Sequence, residues 1–175
     1  MCSSDLKFLI STILLVSLFR LLPHAYNFTP VGAIALFAGA FLTDRKLAVL
    51  VSLAALAFSD LLLELFYGTG FYPDMIFVYG SLFITVGIGT QLSGNTNAQR
   101  VMSATLLTSV TFFLITNFGV WALSGMYSHT FSGLMDCYVA GIPFFRGTLM
   151  GDLFYSTLLF GGFALAKMKF PVLSK

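Results

Sequence analysis

Asp60, Asp152 and Asn117 sit inside apolar runs of the chain, where ionisable or amide side chains have few ordinary reasons to be. Arg20 closes another such run, Glu64 follows Asp60 by four residues, and Tyr79 lies just inside a further one. A charge at the centre of a hydrocarbon layer costs about 2.5–3.5 kcal/mol even on lenient scales, so each of these groups is either paired or put to use. The spacing of four sets Asp60 and Glu64 on one helical face. Flanking polar segments add His24, Tyr26 and Asn27, then Tyr67, Tyr72 and Asp74, then Tyr127, His129, Asp136, Cys137 and Tyr138, with Trp121 close by. Aromatic walls carrying a few convergent polar groups are what small-molecule pockets are made of. The expected ligand-binding set is Arg20, His24, Asn27, Asp60, Glu64, Tyr79, Asn117, Trp121 and Asp152. Among these groups and their neighbours the acids (Asp60, Glu64, Asp74, Asp136, Asp152) outnumber Arg20 and Arg146, which favours a cationic or hydrogen-bond-rich ligand over a dianion.

Each member has a plainer reading. Arg20 with Asp60 or Asp152 makes a structural ion pair. Trp121 and the tyrosines make an interfacial aromatic belt. His24 and His129 are loop hydrogen-bonders, and Cys137 is a passive thiol. The pattern as a whole carries more weight than any one residue.

The elements that must position these groups follow from composition. The chain has 175 residues, 58% hydrophobic and 9% charged, against about 25% charged in soluble domains. The bilayer is its natural solvent, and its size fits one domain, residues 1–175. Six apolar runs are expected to span as helices: residues 6–22, 30–42, 47–66, 75–92, 101–123 and 147–166. Pro23 stops the first. The second is short, hence tilted, broken or buried within the bundle. Its small residues, Gly32 to Ala40, suit close approach of a neighbouring helix. Residues 124–146 form the longest loop, with apolar patches expected to re-enter or lie on the membrane surface. In this topology Lys7, Arg45, Lys46, Arg100, Lys167, Lys169 and Lys175 share one face and only Arg20 and Arg146 the other. The positive-inside rule then places both termini in the cytoplasm. At 1.5 Å per residue, Asp60 lies roughly 9 Å and Asp152 roughly 8 Å below the outer surface, with Asn117 at similar depth. The expectation is an outward polar bowl above a dry inner half.

No His-Glu-x-x-His, Gly-x-Ser-x-Gly or phosphate-binding glycine loop with lysine occurs. No metal or cofactor is expected, and no basic run points to nucleic acid. Cys2 and Cys137 fall on opposite faces and are not expected to pair. The first apolar run lacks a clear cleavage site and is expected to be retained. Two intramembrane acids at matched depth are similar to aspartyl intramembrane proteases, but residues 147–152 read Gly-Thr-Leu-Met-Gly-Asp, not Gly-x-Gly-Asp. The expectation is a non-enzyme.

The stretch from Pro30 to Asp60 has small residues from Gly32 to Ala40, a tight basic turn, and a helix closing on Ser59-Asp60-Leu61-Leu62. With six helices, termini inside and an outward bowl, the chain resembles the substrate-binding S component of energy-coupling-factor (ECF) vitamin transporters. Three stretches more closely resemble an uncharacterised group of small bacterial six-helix membrane proteins: Arg20 through Pro30, Asn117-Phe-Gly-Val-Trp121, and Cys137 through Phe145. The S-component resemblance implies an all-α inner-membrane bundle that takes up a vitamin, cofactor precursor or metal-type nutrient from outside. It also implies transmembrane and ATPase partner subunits. Helix 1 lacks the small-residue docking face of that family, having no alanine or glycine, and Ala35 with Gly39 on helix 2 is the nearest substitute. The alternative is a non-catalytic scaffold resembling small cell-shape proteins, and the third reading is the aspartyl protease.

Overall fold

A computed structural model describes residues 3–22 and 25–169. Among them are six α-helices and no strand: α1 (Ser3–Ser17, prolonged by a 3₁₀ turn, Leu18–Leu21), α2 (Val31–Phe41), α3 (Arg45–Tyr67), α4 (Met75–Thr90), α5 (Ala98–Leu123) and α6 (Phe131–Lys169). Polar residues at the turns start and stop them. Asp44 caps α3, its Oδ1 accepting from the backbone N–H of Lys46 at 2.8 Å and Leu47 at 3.3 Å. Asn97 does the same for α5 through Arg100 N–H at 2.8 Å. Gly68, at φ 65°, supplies the left-handed residue that ends α3.

Helices α3, α5 and α6 are each long and apolar enough to cross a membrane; α2 and α4 are shorter apolar helices. The lateral surface agrees, since Leu50, Leu65, Phe66, Ile76 and Phe83 are all largely exposed, and water would not support such a surface. The core forms around α2, whose residues Ala33 to Ala40 are all buried. Its eleven residues rise only about 16 Å, half a hydrocarbon layer, so this helix is an internal strut and not a full span. Gly39 and Gly89 of α4 bring the two backbones together: a Cβ on Gly39 would overlap the Val86 carbonyl, and one on Gly89 the Leu36 carbonyl. Ala35 and Gly39 therefore serve packing inside the bundle. The substitute docking face expected on helix 2 is not on the surface.

Contacts between helix ends sort the charges. Phe8 stacks on Phe163, Lys167 Nζ lies 4.9 Å from the Phe163 ring centre and 5.5 Å from that of Phe41, and Arg100 Nη2 donates to the Gln91 carbonyl at 3.0 Å. Lys7, Arg45, Lys46, Arg100, Lys167 and Lys169 thus collect at one end of the bundle. Arg20 lies at the other.

The expected long loop 124–146 is corrected. Only residues 124–130 are non-helical, and α6 begins at Phe131 and runs 39 residues straight through Pro143. Proline removes one backbone donor and favours a stop or kink. Here tertiary contacts on both sides of it hold the helix against α5. Before it, Tyr138 Oη donates to the Leu114 carbonyl at 2.9 Å. After it, Phe145 packs on Phe113 with ring centres 4.9 Å apart. At 1.5 Å per residue its 39 residues amount to about 58 Å of helix, nearly twice the hydrocarbon thickness.

Gly39→Val should drive a side chain into α4's backbone and lower stability by about 1–3 kcal/mol. A clear drop in the thermal midpoint of the purified protein would register this. Gly87→Ala, whose Cβ meets open space, should stay near wild type.

Candidate functional site

The end away from the basic cluster is organised by one ion pair. Arg20, on the 3₁₀ turn after α1, places Nη1 2.6 Å from Asp60 Oδ1 of α3 and 2.6 Å from Ser59 Oγ. Ser59 Oγ in turn donates to the Leu56 carbonyl at 2.8 Å, and Tyr79 Oη of α4 donates to Asp60 Oδ2 at 2.9 Å. The Asp60 side chain is 2% exposed and that of Arg20 13%, so the pair is largely desolvated and its remaining valences are met by neutral hydroxyls. Three segments are thereby tied at one point.

Asp152 belongs to a different cluster. It is 4% exposed, and its Oδ2 accepts from Ser109 Oγ of α5 at 2.6 Å. Its carboxylate also lies against the first turn of α2, beside Gly32 and Ala33. The residue preceding α2 is Pro30, which offers no side-chain cap. Asp152 supplies that cap from another helix, setting a carboxylate at the positive end of α2. Gly32 leaves the room for it, since a Cβ there would overlap the carboxylate. Asp60 and Asp152 thus have separate partners, and among the described residues no hydrogen bond joins the two carboxylates.

Toward the same end lies a chamber of about 370 Å³, walled by α4, α5, α6 and the loops there, with Asn27, Tyr72, Asp74, Asn117, Tyr127 and Cys137 among its lining. A recess of about 110 Å³ adjoins it, reaching Arg20, Thr29, Gly32, Thr148 and Asp152. Asn27, Tyr72, Val78 and Phe112 line both. Segment 25–30 carries Asn27 at φ 59°, a left-handed conformation that asparagine tolerates better than most residues. Loop 68–74 folds back over the end of α3, because Gly70 N–H donates to Glu64 Oε2 at 2.9 Å and its missing Cβ lets the loop meet the Asp60 carbonyl. This carries Tyr72 into the boundary between chamber and recess. Its phenol is pushed up to about 12, by burial first and then by the charge of Asp60, with Arg20 pulling the other way. It therefore stays a neutral hydroxyl at any physiological pH.

The structure places the expected site residues unevenly. Asn27 and Asn117 line the chamber, and Arg20, Asn27 and Asp152 line the recess. Asp60, Glu64, Tyr79 and Trp121 do not line either. The first three are held by the bonds already given, while Trp121 Nε1 donates to the Ser128 carbonyl at 3.0 Å and its ring packs against Phe118 and His129. His24 lies outside the described residues. Tyr72, Asp74, Tyr127 and Cys137 join the walls, although none was in the expected set; Tyr72 and Asp74 flank Pro73 in the turn before α4. Cys137 is a buried free thiol and donates to the Asn117 carbonyl at 3.3 Å.

A model of a family of unknown function, DUF6580, matches residues 3–173. The chain belongs to that family. No curated protein and no solved structure matches it. The match spans all six helices, so the Arg20–Asp60 pair, the Asp152 cap and the chamber all lie within the family's extent.

Removing one partner of a buried pair strands the other charge, at about 3–5 kcal/mol. Arg20→Met should therefore cost that much, and Arg20→Met with Asp60→Leu together should cost less than Arg20→Met alone. Denaturation midpoints of the single and double variants measure the difference.

Proposed function

We propose that this chain is a six-helix, multi-pass protein of the bacterial inner membrane, with both termini in the cytoplasm and α2 buried within the bundle. In this reading it binds a small nutrient arriving from outside and takes part in its uptake, much as an S component does. The observation that carries the reading is the 370 Å³ chamber at the end opposite the basic cluster. Its size falls within the range of ligand pockets, about 300–1,000 Å³, and aromatic and amide side chains share its walls. The positive-inside rule turns that end away from the cytoplasm. Irregular backbone at membrane depth is tolerated where it lines a cavity, and segment 25–30 does so. Vitamins, cofactor precursors and small metal complexes are of a size to enter.

In the proposed mechanism the ligand settles between loops 68–74 and 124–130, contacts Asn27, Asn117, Tyr72 and Tyr127, and reaches toward the recess. Arg20 and Asp60 hold the loops' foundation rather than the ligand. Ala35 and Gly39 are occupied inside the bundle, so docking to ECF-type transmembrane and ATPase subunits would use another face.

A second reading, a scaffold for other membrane proteins, is favoured by one observation. Arg20, Asp60, Glu64, Tyr79 and Trp121 spend their polar groups on bonds within the chain. The chamber is what separates the two readings.

A thermal-shift screen of vitamins, corrinoids and divalent metals against the purified protein tests this. Ligand at 100 times its dissociation constant adds about 2.7 kcal/mol. A hit should vanish in Ala140→Trp, which fills the chamber from α6, while the ligand-free midpoint stays close to wild type. No hit across the panel favours the scaffold.

A further inference from the structure

Resting on the reading of the chamber as a ligand site, the chemistry of its wall narrows the ligand class. Five acids lie toward this end: Asp60, Glu64, Asp74, Asp136 and Asp152. Asp60 is neutralised by Arg20. Glu64 is spent on Gly70 N–H, and Asp152 on Ser109 and the start of α2. Asp136 is exposed and is not part of the chamber wall. Asp74 remains. It occupies the N-cap position of α4, where an aspartate ordinarily accepts from the helix's first N–H groups, yet its side chain makes no such bond. Among the described residues its carboxylate has no hydrogen bond and no salt bridge, and it lines the chamber. It is half-buried there and, among the described residues, is the only charged one in the wall.

The rest of the wall suits a cation as well. Tyr72, Phe112, Tyr127 and Phe144 contribute aromatic rings, whose faces attract ammonium groups. Asn27 and Asn117 add neutral polar groups. Arg20, in the adjoining recess, has its charge offset by Asp60 at 2.6 Å, so it does not reverse the sign of the site. A free carboxylate among aromatic rings, with no base among the described residues of the wall, disfavours an anion and leaves a neutral molecule without a partner for Asp74. We propose that the chamber takes an organic monocation, a primary or quaternary ammonium on an apolar or aromatic body, with Asp74 as its counter-ion.

Calorimetry on the full chain in lipid nanodiscs tests this with four probes of matched size: phenethylammonium, benzyltrimethylammonium, neutral phenylethanol and anionic phenylpropanoate. The two cations are expected to bind about tenfold or more tightly than the neutral and anionic probes. Asp74→Asn should abolish that preference while leaving the ligand-free melting midpoint unchanged, because the side chain caps nothing. Asp136→Asn should retain it. Equal or better binding of the neutral or anionic probe, a preference that survives Asp74→Asn, or no binding by either cation overturns the assignment. Capture itself is judged separately by the nutrient screen and Ala140→Trp, so a neutral or anionic nutrient that binds there leaves the uptake reading standing and removes only the cation.

Discussion

Charge in an apolar surround must be matched by the protein itself, and the Arg20–Asp60 pair is where this chain meets that constraint. Both groups are largely withdrawn from water, and the fold brings Ser59 and Tyr79 to complete their hydrogen bonds. The consequences spread outward. The end of α1 is fastened to α3, and α4 is fastened to both. Loop 68–74 can then close over the same point through Glu64 and Gly70. Chamber and recess exist because these segments are held apart at a fixed spacing, not because any one of them is shaped to contain a ligand.

The second constraint is the unsatisfied start of α2. A short helix buried at mid-bundle has N–H groups in its first turn with no partner inside the helix. Pro30 cannot cap it with a side chain, so Asp152 does so from α6, helped by Ser109 and made possible by Gly32. At its other end α2 gains its closest contact through Gly39 and Gly89. Two acids that look alike in the sequence therefore do different work. One neutralises an arginine, the other finishes a helix, and neither is left over for chemistry. What is left over is Asp74, in a loop, where an unpaired carboxylate costs little until a ligand covers it.

Much of the architecture could be read from residue types. Apolar runs place α3, α4 and α5 to within a few residues, because lipid-facing and core positions are both apolar and the turns between them are polar. Asp44 and Asn97 mark helix starts by ordinary capping chemistry. The unequal distribution of lysine and arginine is a sequence property that the folded bundle keeps. The course of α6 was not legible, since Pro143 is a local signal to stop and the contacts that overrule it come from α5, more than twenty residues away. The site was half legible. Depth alone marks Arg20, Asn117 and Asp152, but depth does not say whether a group faces a cavity or a partner. Tyr72, Asp74 and Tyr127 reach the chamber through loop paths set by glycines and by contacts with distant helices, which no periodicity encodes.

In the proposed topology the chamber opens to the outside of the cell. Ala140→Cys, in a background with Cys2 and Cys137 changed to serine, puts a single thiol on the chamber wall. A membrane-impermeant maleimide applied to intact cells is predicted to label it without permeabilisation. Labelling only after the membrane is breached would contradict the account.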